Sequence, residues 1–147
     1  MKRGKPIDRG GPVSAEIEVE VPFHDLDGFS VVWHGHYYKY FEHARTAAMR
    51  SIGFDIDEMA RSGYVWPVIE SHCRYIAPLR YGMRVLVRAV LDDCDHRLKF
   101  SYLVREKTSG RRLAKGHTVQ AAVDSVTGSL CLTTPAVLRK RLGGHAS

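Results

Sequence analysis

Residues 21–45 read VPFHDLDGFSVVWHGHYYKYFEHAR and place several side chains that could do chemistry close together. Two carboxylates, Asp25 and Asp27, are separated only by Leu26 and followed by Gly28, with His24, His34 and His36 on either side and Glu42 further on. A carboxylate can attack an activated carbonyl carbon or act as general base toward water. The charge that then develops on the carbonyl oxygen needs hydrogen-bond donors. A helix beginning near residues 34–36 would offer unpaired backbone N–H groups and the positive end of its dipole. Asp27 stands seven to nine residues before that start, close enough for a loop to fold it back over the helix end. An Asp beside a Gly is also common turn chemistry, and a polar His or a helical Glu is ordinarily just solvated. His34 and His36 at i, i+2 on a helix start do not share a face, unlike the i, i+4 pair of a zinc protease, so no metal is expected.

The elements that must hold these residues can be read from periodicity. Residues 15–21 alternate, with Ala15, Ile17, Val19 and Val21 on one side and Glu16, Glu18 and Glu20 on the other, as a half-buried strand does. Residues 22–35 read as a loop with room for one helical turn. From residue 36 to 52, Tyr37, Tyr40, Phe41, Ala44, Ala48 and Ile52 recur at spacings of three or four and form one apolar stripe of a helix about 25 Å long. Gly53 falls where a left-handed cap would end it. A shorter helix is predicted over 55–62, then strands over 65–76, 83–91, 98–105 and 113–124, separated by turn-forming stretches. Thr134-Pro135 looks like the start of a short basic helix, with Thr134 as its N-cap. The order predicts an α+β fold in which an antiparallel sheet of about five strands covers one long helix. The domain spans residues 15–142, after a basic Gly/Pro-rich arm over 1–14 that lacks the apolar stretch of a secretory signal. Exposed sheet edges predict a homodimer or homotetramer.

The bulk composition sets outer bounds. The 147 residues are 44% hydrophobic and 26% charged, the make-up of one ordinary globular domain, and no apolar run approaches the ~20 residues of a membrane span. Cys73, Cys94 and Cys131 are odd in number and widely spaced, which fits a reducing cytoplasm better than a disulfide framework. The net charge of +6 favours anionic partners such as a phosphorylated cofactor or an acidic carrier protein. No nucleic-acid motif accompanies it.

The V-x-F-x-D-x-D opening, the V-V-x-H step, the H-Y at the helix start and F-E-x-A-R resemble the 4-hydroxybenzoyl-CoA thioesterase family of hotdog-fold proteins. Arg74, Tyr75, Pro78 and Gly82 (R-Y-x-x-P-x-x-x-G) agree as well. The resemblance implies a hotdog fold, in which the sheet wraps the long helix, and an acyl-CoA thioesterase needing no cofactor beyond the coenzyme A of its substrate. It implies that Asp27 is the catalytic carboxylate, that the N–H of residue 34 faces the thioester oxygen, and that the His34 side chain orients water or substrate. Asp25 is left as a loop or structural acid. Trp66 and Pro67, with Tyr37, are expected to line the acyl pocket. Glu42 is expected to support the site, partnered by Arg45. Arg80, Arg97 and Lys99 are candidates for the phosphates of coenzyme A, and an acyl carrier protein would suit the same basic face. The Gly28-Phe29-Ser30 insertion, His36 in place of a common Asn, and Met83 in place of an acidic residue depart from the family pattern. Two alternatives use the same residues: a hotdog dehydratase with His34 as base and Glu42 as acid, and an acyl-binding protein without catalysis.

Overall fold

The computed structural model describes residues 13–143, so the expected arm lies almost wholly outside the described residues. Strand β1 (Ser14–Glu20) leads through a 3-10 turn (Phe23–Asp25) and a loop into helix α1 (His36–Ser51). Helix α2 (Ile56–Ser62) follows, then β2 (Tyr64–Val65), β3 (Val68–Tyr75), β4 (Arg84–Asp93), β5 (Leu98–Glu106), β6 (Arg112–Gln120), β7 (Val123–Asp124) and α3 (Ala136–Leu142). Five strands form one antiparallel sheet in the order β1-β4-β5-β6-β3.

The apolar stripe of α1 lies on one face of this sheet. Tyr37, Tyr40, Phe41, Ala44 and Ala48 are buried, against Val85, Val87 and Ala89 of β4 and Phe100, Tyr102 and Val104 of β5. Phe41 stacks flat on Tyr102, ring centroids 4.4 Å apart. The glutamates of β1 face outward as their alternation predicts, pairing across strands: Glu16 with Arg105 at 2.8 Å and Glu18 with Arg84 at 3.1 Å. Such exposed pairs add little stability individually, so the apolar face holds the sheet to the helix.

Helix α1 ends one residue before the expected boundary, with Gly53 in the left-handed region at φ 72°. Two of the strands read as continuous are each broken in two. Pro67 cannot donate to a ladder. The chain therefore leaves its register there, and β2 pairs with β7 in a separate two-stranded ribbon. The buried Gln120 side chain donates to the carbonyl of Trp66 at 2.8 Å and satisfies the group exposed by the break. Thr134 does not cap α3. Its hydroxyl donates to the carbonyl of Cys94, and Pro135 precedes the helix without a side-chain cap.

Gly116 is the tightest point between helix and sheet. A Cβ there would sit 2.2 Å from the carbonyl oxygen of His72 and 2.8 Å from the ring of Phe41. The backbone atom belongs to the β3–β6 ladder and cannot move aside cheaply. Gly116→Ala is therefore expected to cost about 2 kcal/mol, as overpacked cores do, seen as a lower urea midpoint at unchanged m-value.

Candidate active site

The segment between β1 and α1 folds as a closed hairpin. Leu26 and Val32 form an isolated antiparallel bridge. The N–H of Asp27 donates to Val31 at 2.8 Å and that of Trp33 to the carbonyl of Asp25 at 3.0 Å. Gly28-Phe29-Ser30 is the tip, with Ser30 at φ 64°. The N–H of Phe29 donates to one carboxylate oxygen of Asp27 at 2.8 Å, an Asx turn that fixes the direction of that side chain. The ring of Phe29 is 86% exposed and does not line the cleft that holds Asp27.

Asp25 anchors this hairpin to the helix. Its carboxylate is 1% exposed and accepts from Lys39 Nζ at 2.7 Å and Tyr40 Oη at 2.6 Å. The imidazoles of His24 and His36 stand 3.9 Å away. Burial disfavours the ionised form of Asp25, but the hydrogen bonds and the charge of Lys39 outweigh it and hold the carboxyl below its ordinary range. Burial and the neighbouring carboxylate push the phenol of Tyr40 far up, which keeps it a donor.

Asp27, His34 and Tyr37 meet in one cleft of about 330 Å³, lined on the same side by Val31 and Val32 and on the other by Tyr75, Ile76, Ala77 and Pro78. Its floor is the start of α1. The N–H of His36 closes a turn onto the carbonyl of Trp33 at 2.9 Å, whereas among the described hydrogen bonds the N–H groups of His34 and Gly35 have no acceptor. Gly35 lets the Trp33 indole lie against the backbone of this turn: a Cβ would come within 2.3 Å of the ring and displace it. The arrangement sets a carboxylate in one cleft with a residue whose amide is free at a helix N-terminus, which suits attack on a carbonyl whose oxygen becomes negative.

Other expected site residues lie elsewhere. Trp66 is buried edge-on against Phe54 and beside Tyr64, where with Ile56, Met59 and Ala60 it borders a separate apolar hollow of about 340 Å³. Neither Trp66 nor Pro67 lines the Asp27 cleft within this chain. Glu42 is exposed on α1, 3.9 Å from Arg45, and is also absent from that cleft. Arg80 is exposed two residues beyond Pro78 of the cleft wall. Arg97 donates to the carbonyls of His96 and Cys131. Lys99 lies over a hollow on β5 and β6 with His72, Lys115 and His117. The three basic candidates thus do not converge. Conversely, Tyr75 lines the cleft without having been expected to. Its place within R-Y-x-x-P-x-x-x-G and on the inner face of β3 was the available signal.

Comparison with known proteins places these features in context. A family model described as the thioesterase-like superfamily matches residues 21–142. Over 74 residues, half of this chain, the sequence is 38% identical to an acyl-acyl carrier protein thioesterase of Arabidopsis thaliana, and the match covers 39% of that protein. Among solved structures, a 1,4-dihydroxy-2-naphthoyl-CoA thioesterase from Synechocystis superimposes with a TM-score of 0.79 at 19% identity, over 88% of this chain and 95% of the other. A 4-hydroxybenzoyl-CoA thioesterase variant complexed with 4-hydroxybenzoyl-CoA superimposes with a TM-score of 0.76 at 13% identity, over 88% and 98%. At these identities the structural likeness establishes the fold, a sheet wrapped on a long helix in the hotdog manner.

Proposed function

Because the chain belongs to the thioesterase-like superfamily, we propose that it hydrolyses an acyl thioester in the cleft between the 25–33 hairpin and the end of β3. The observation that carries this reading is the meeting of Asp27 with His34, whose N–H has no acceptor among the described hydrogen bonds, in a single cleft at the start of α1. The thioester carbonyl oxygen faces the His34 N–H at the helix start and is polarised by it. Asp27 either takes a proton from water as water adds to the carbonyl carbon, or adds itself and forms a mixed anhydride that water then cleaves. Either course breaks the carbon–sulfur bond, and the sulfur leaves as a thiol with the proton. His34, exposed at the cleft mouth, orients water or the acyl group.

We take coenzyme A esters as the first substrate class and carrier-protein esters as the second, since relatives of both descriptions resemble this chain. Arg80 is the basic candidate nearest the cleft wall in the sequence. No described helix is long and apolar enough to cross a membrane. The free edge of β3, with Val68 and Ile69 exposed along it, supports a homodimer formed by covering that edge. Light scattering at twice the monomer mass is the expected result. Dehydration of a 3-hydroxyacyl thioester is the weaker reading, because the acid it needs, Glu42, is exposed and outside the cleft.

The test is thiol release, followed with a chromogenic thiol reagent, over short, long and aromatic acyl-CoAs and an acyl carrier protein thioester. Release from at least one is expected. An enoyl product without free thiol, or binding with no turnover on any ester, overturns the reading. Gly35→Ala is expected to lower kcat about tenfold on the responsive ester, since displacing the Trp33 ring moves the amide donors by a fraction of an ångström.

A further inference from the structure

Tyr75 reaches across the cleft to the backbone on which the proposed chemistry depends. It is the last residue of β3, an edge strand, and its ring meets Tyr37 of α1 edge-on, centroids 4.8 Å apart. Its hydroxyl donates to the carbonyl oxygen of His34 at 2.9 Å. Cys73 stands two residues earlier on the same face of β3. Burial and the nearby Cys73 push the phenol of Tyr75 well above its ordinary value, so it stays protonated and a donor at any working pH.

The peptide unit that carries the His34 carbonyl also carries the Gly35 N–H. In a trans peptide these two groups point in opposite directions in one plane. A donor fixed on the carbonyl therefore fixes the plane of this peptide, and with it the backbone of His34 where it lines the cleft. Neither neighbour in the turn does this: the His36 N–H goes to Trp33, and Gly35 has no side chain with which to hold itself. The one described hydrogen bond to the His34–Gly35 peptide comes from β3, 41 residues away in sequence.

We propose that Tyr75 is a positioning residue: its hydroxyl clamps the His34–Gly35 peptide and so holds the turn that presents His34 and its N–H to the cleft. The ring, which lines the cleft beside Tyr37, contributes separately to substrate contact. This assignment rests on the thioesterase reading for its kinetic consequence but not for its structural one.

Tyr75→Phe keeps the ring and removes the clamp. The expected result is a kcat for thiol release about tenfold lower, the worth of one ordinary hydrogen bond, with KM and melting temperature unchanged. Tyr75→Leu, which removes the ring as well, is expected to raise KM in addition. The second readout needs no substrate. In carbonyl-labelled protein the 13C resonance of His34 is expected to move upfield in Tyr75→Phe, while carbonyl resonances in α2 and α3 stay in place. An unchanged kcat, or an unmoved His34 resonance, overturns the clamp. Absence of turnover in the wild type on every ester would instead remove the thioesterase reading, and the His34 resonance would still decide whether the clamp exists.

Discussion

Asp27→Asn is expected to lower kcat for thiol release by a factor on the order of 10³, the scale at which loss of a positioned base or nucleophile is usually felt, and to leave the fold intact. The structure separates these two effects. One carboxylate oxygen of Asp27 accepts the Phe29 N–H and holds the hairpin tip, and the amide oxygen of Asn can accept the same bond. The hairpin is closed by backbone pairs from Asp27 to Val31 and from Trp33 to Asp25, which the substitution does not touch. What disappears is the negative charge and the lone pair that attacks or accepts a proton. The measurement is steady-state thiol release beside a thermal melt of the same preparation. Turnover that survives in a folded Asp27→Asn protein removes Asp27 from the chemistry and directs attention to His34.

Asp25→Ala is expected to destabilise the domain by about 3 kcal/mol, at the low end for breaking a buried ion pair because Lys39 is partly exposed and can turn back to water. Tyr40 has no such freedom. Its hydroxyl is buried, and without Asp25 it loses the acceptor that satisfies it. Chemical denaturation measures the loss. The pH dependence of the same group gives a second check. The folded-state carboxyl of Asp25 lies below its ordinary value, so below roughly pH 4 the unfolded chain binds the proton more readily than the folded one. The stability it contributes is fully present above that ordinary value and is lost as pH falls through the depressed one. Asp25→Asn should flatten this acid limb. An unaltered acid limb would show that other carboxylates carry it.

The two aspartates of the D-x-D pair, alike in sequence, thus sit in opposite surroundings because of what α1 presents to each. Asp25 points at Lys39 and Tyr40 and ties the hairpin down, while Asp27, one bridge further along, faces the open cleft. The sequence alone distinguishes them only by resemblance to a family. The burial that makes one structural and leaves the other available arises from packing between β1 and α1.

Local pattern determined much of this protein. The three-and-four spacing of Tyr37, Tyr40, Phe41, Ala44 and Ala48 specifies the long helix and the face it buries. The alternation around Ile17, Val85 and Phe100 specifies the sheet, because an apolar side chain has one favourable side of a helix or a strand to occupy. Asp27, His34 and Tyr37 could be picked out because they lie within eleven residues of one another. The tertiary structure alone decided the break at Pro67, where a missing N–H shifts pairing to β7. It also decided the need for glycine at position 116, where β3 and α1 close in from different parts of the chain. And it brought Tyr75 to the helix start across 41 residues of sequence. Contacts of that range depend on where whole elements come to rest, and periodicity, a property of near neighbours, does not contain them.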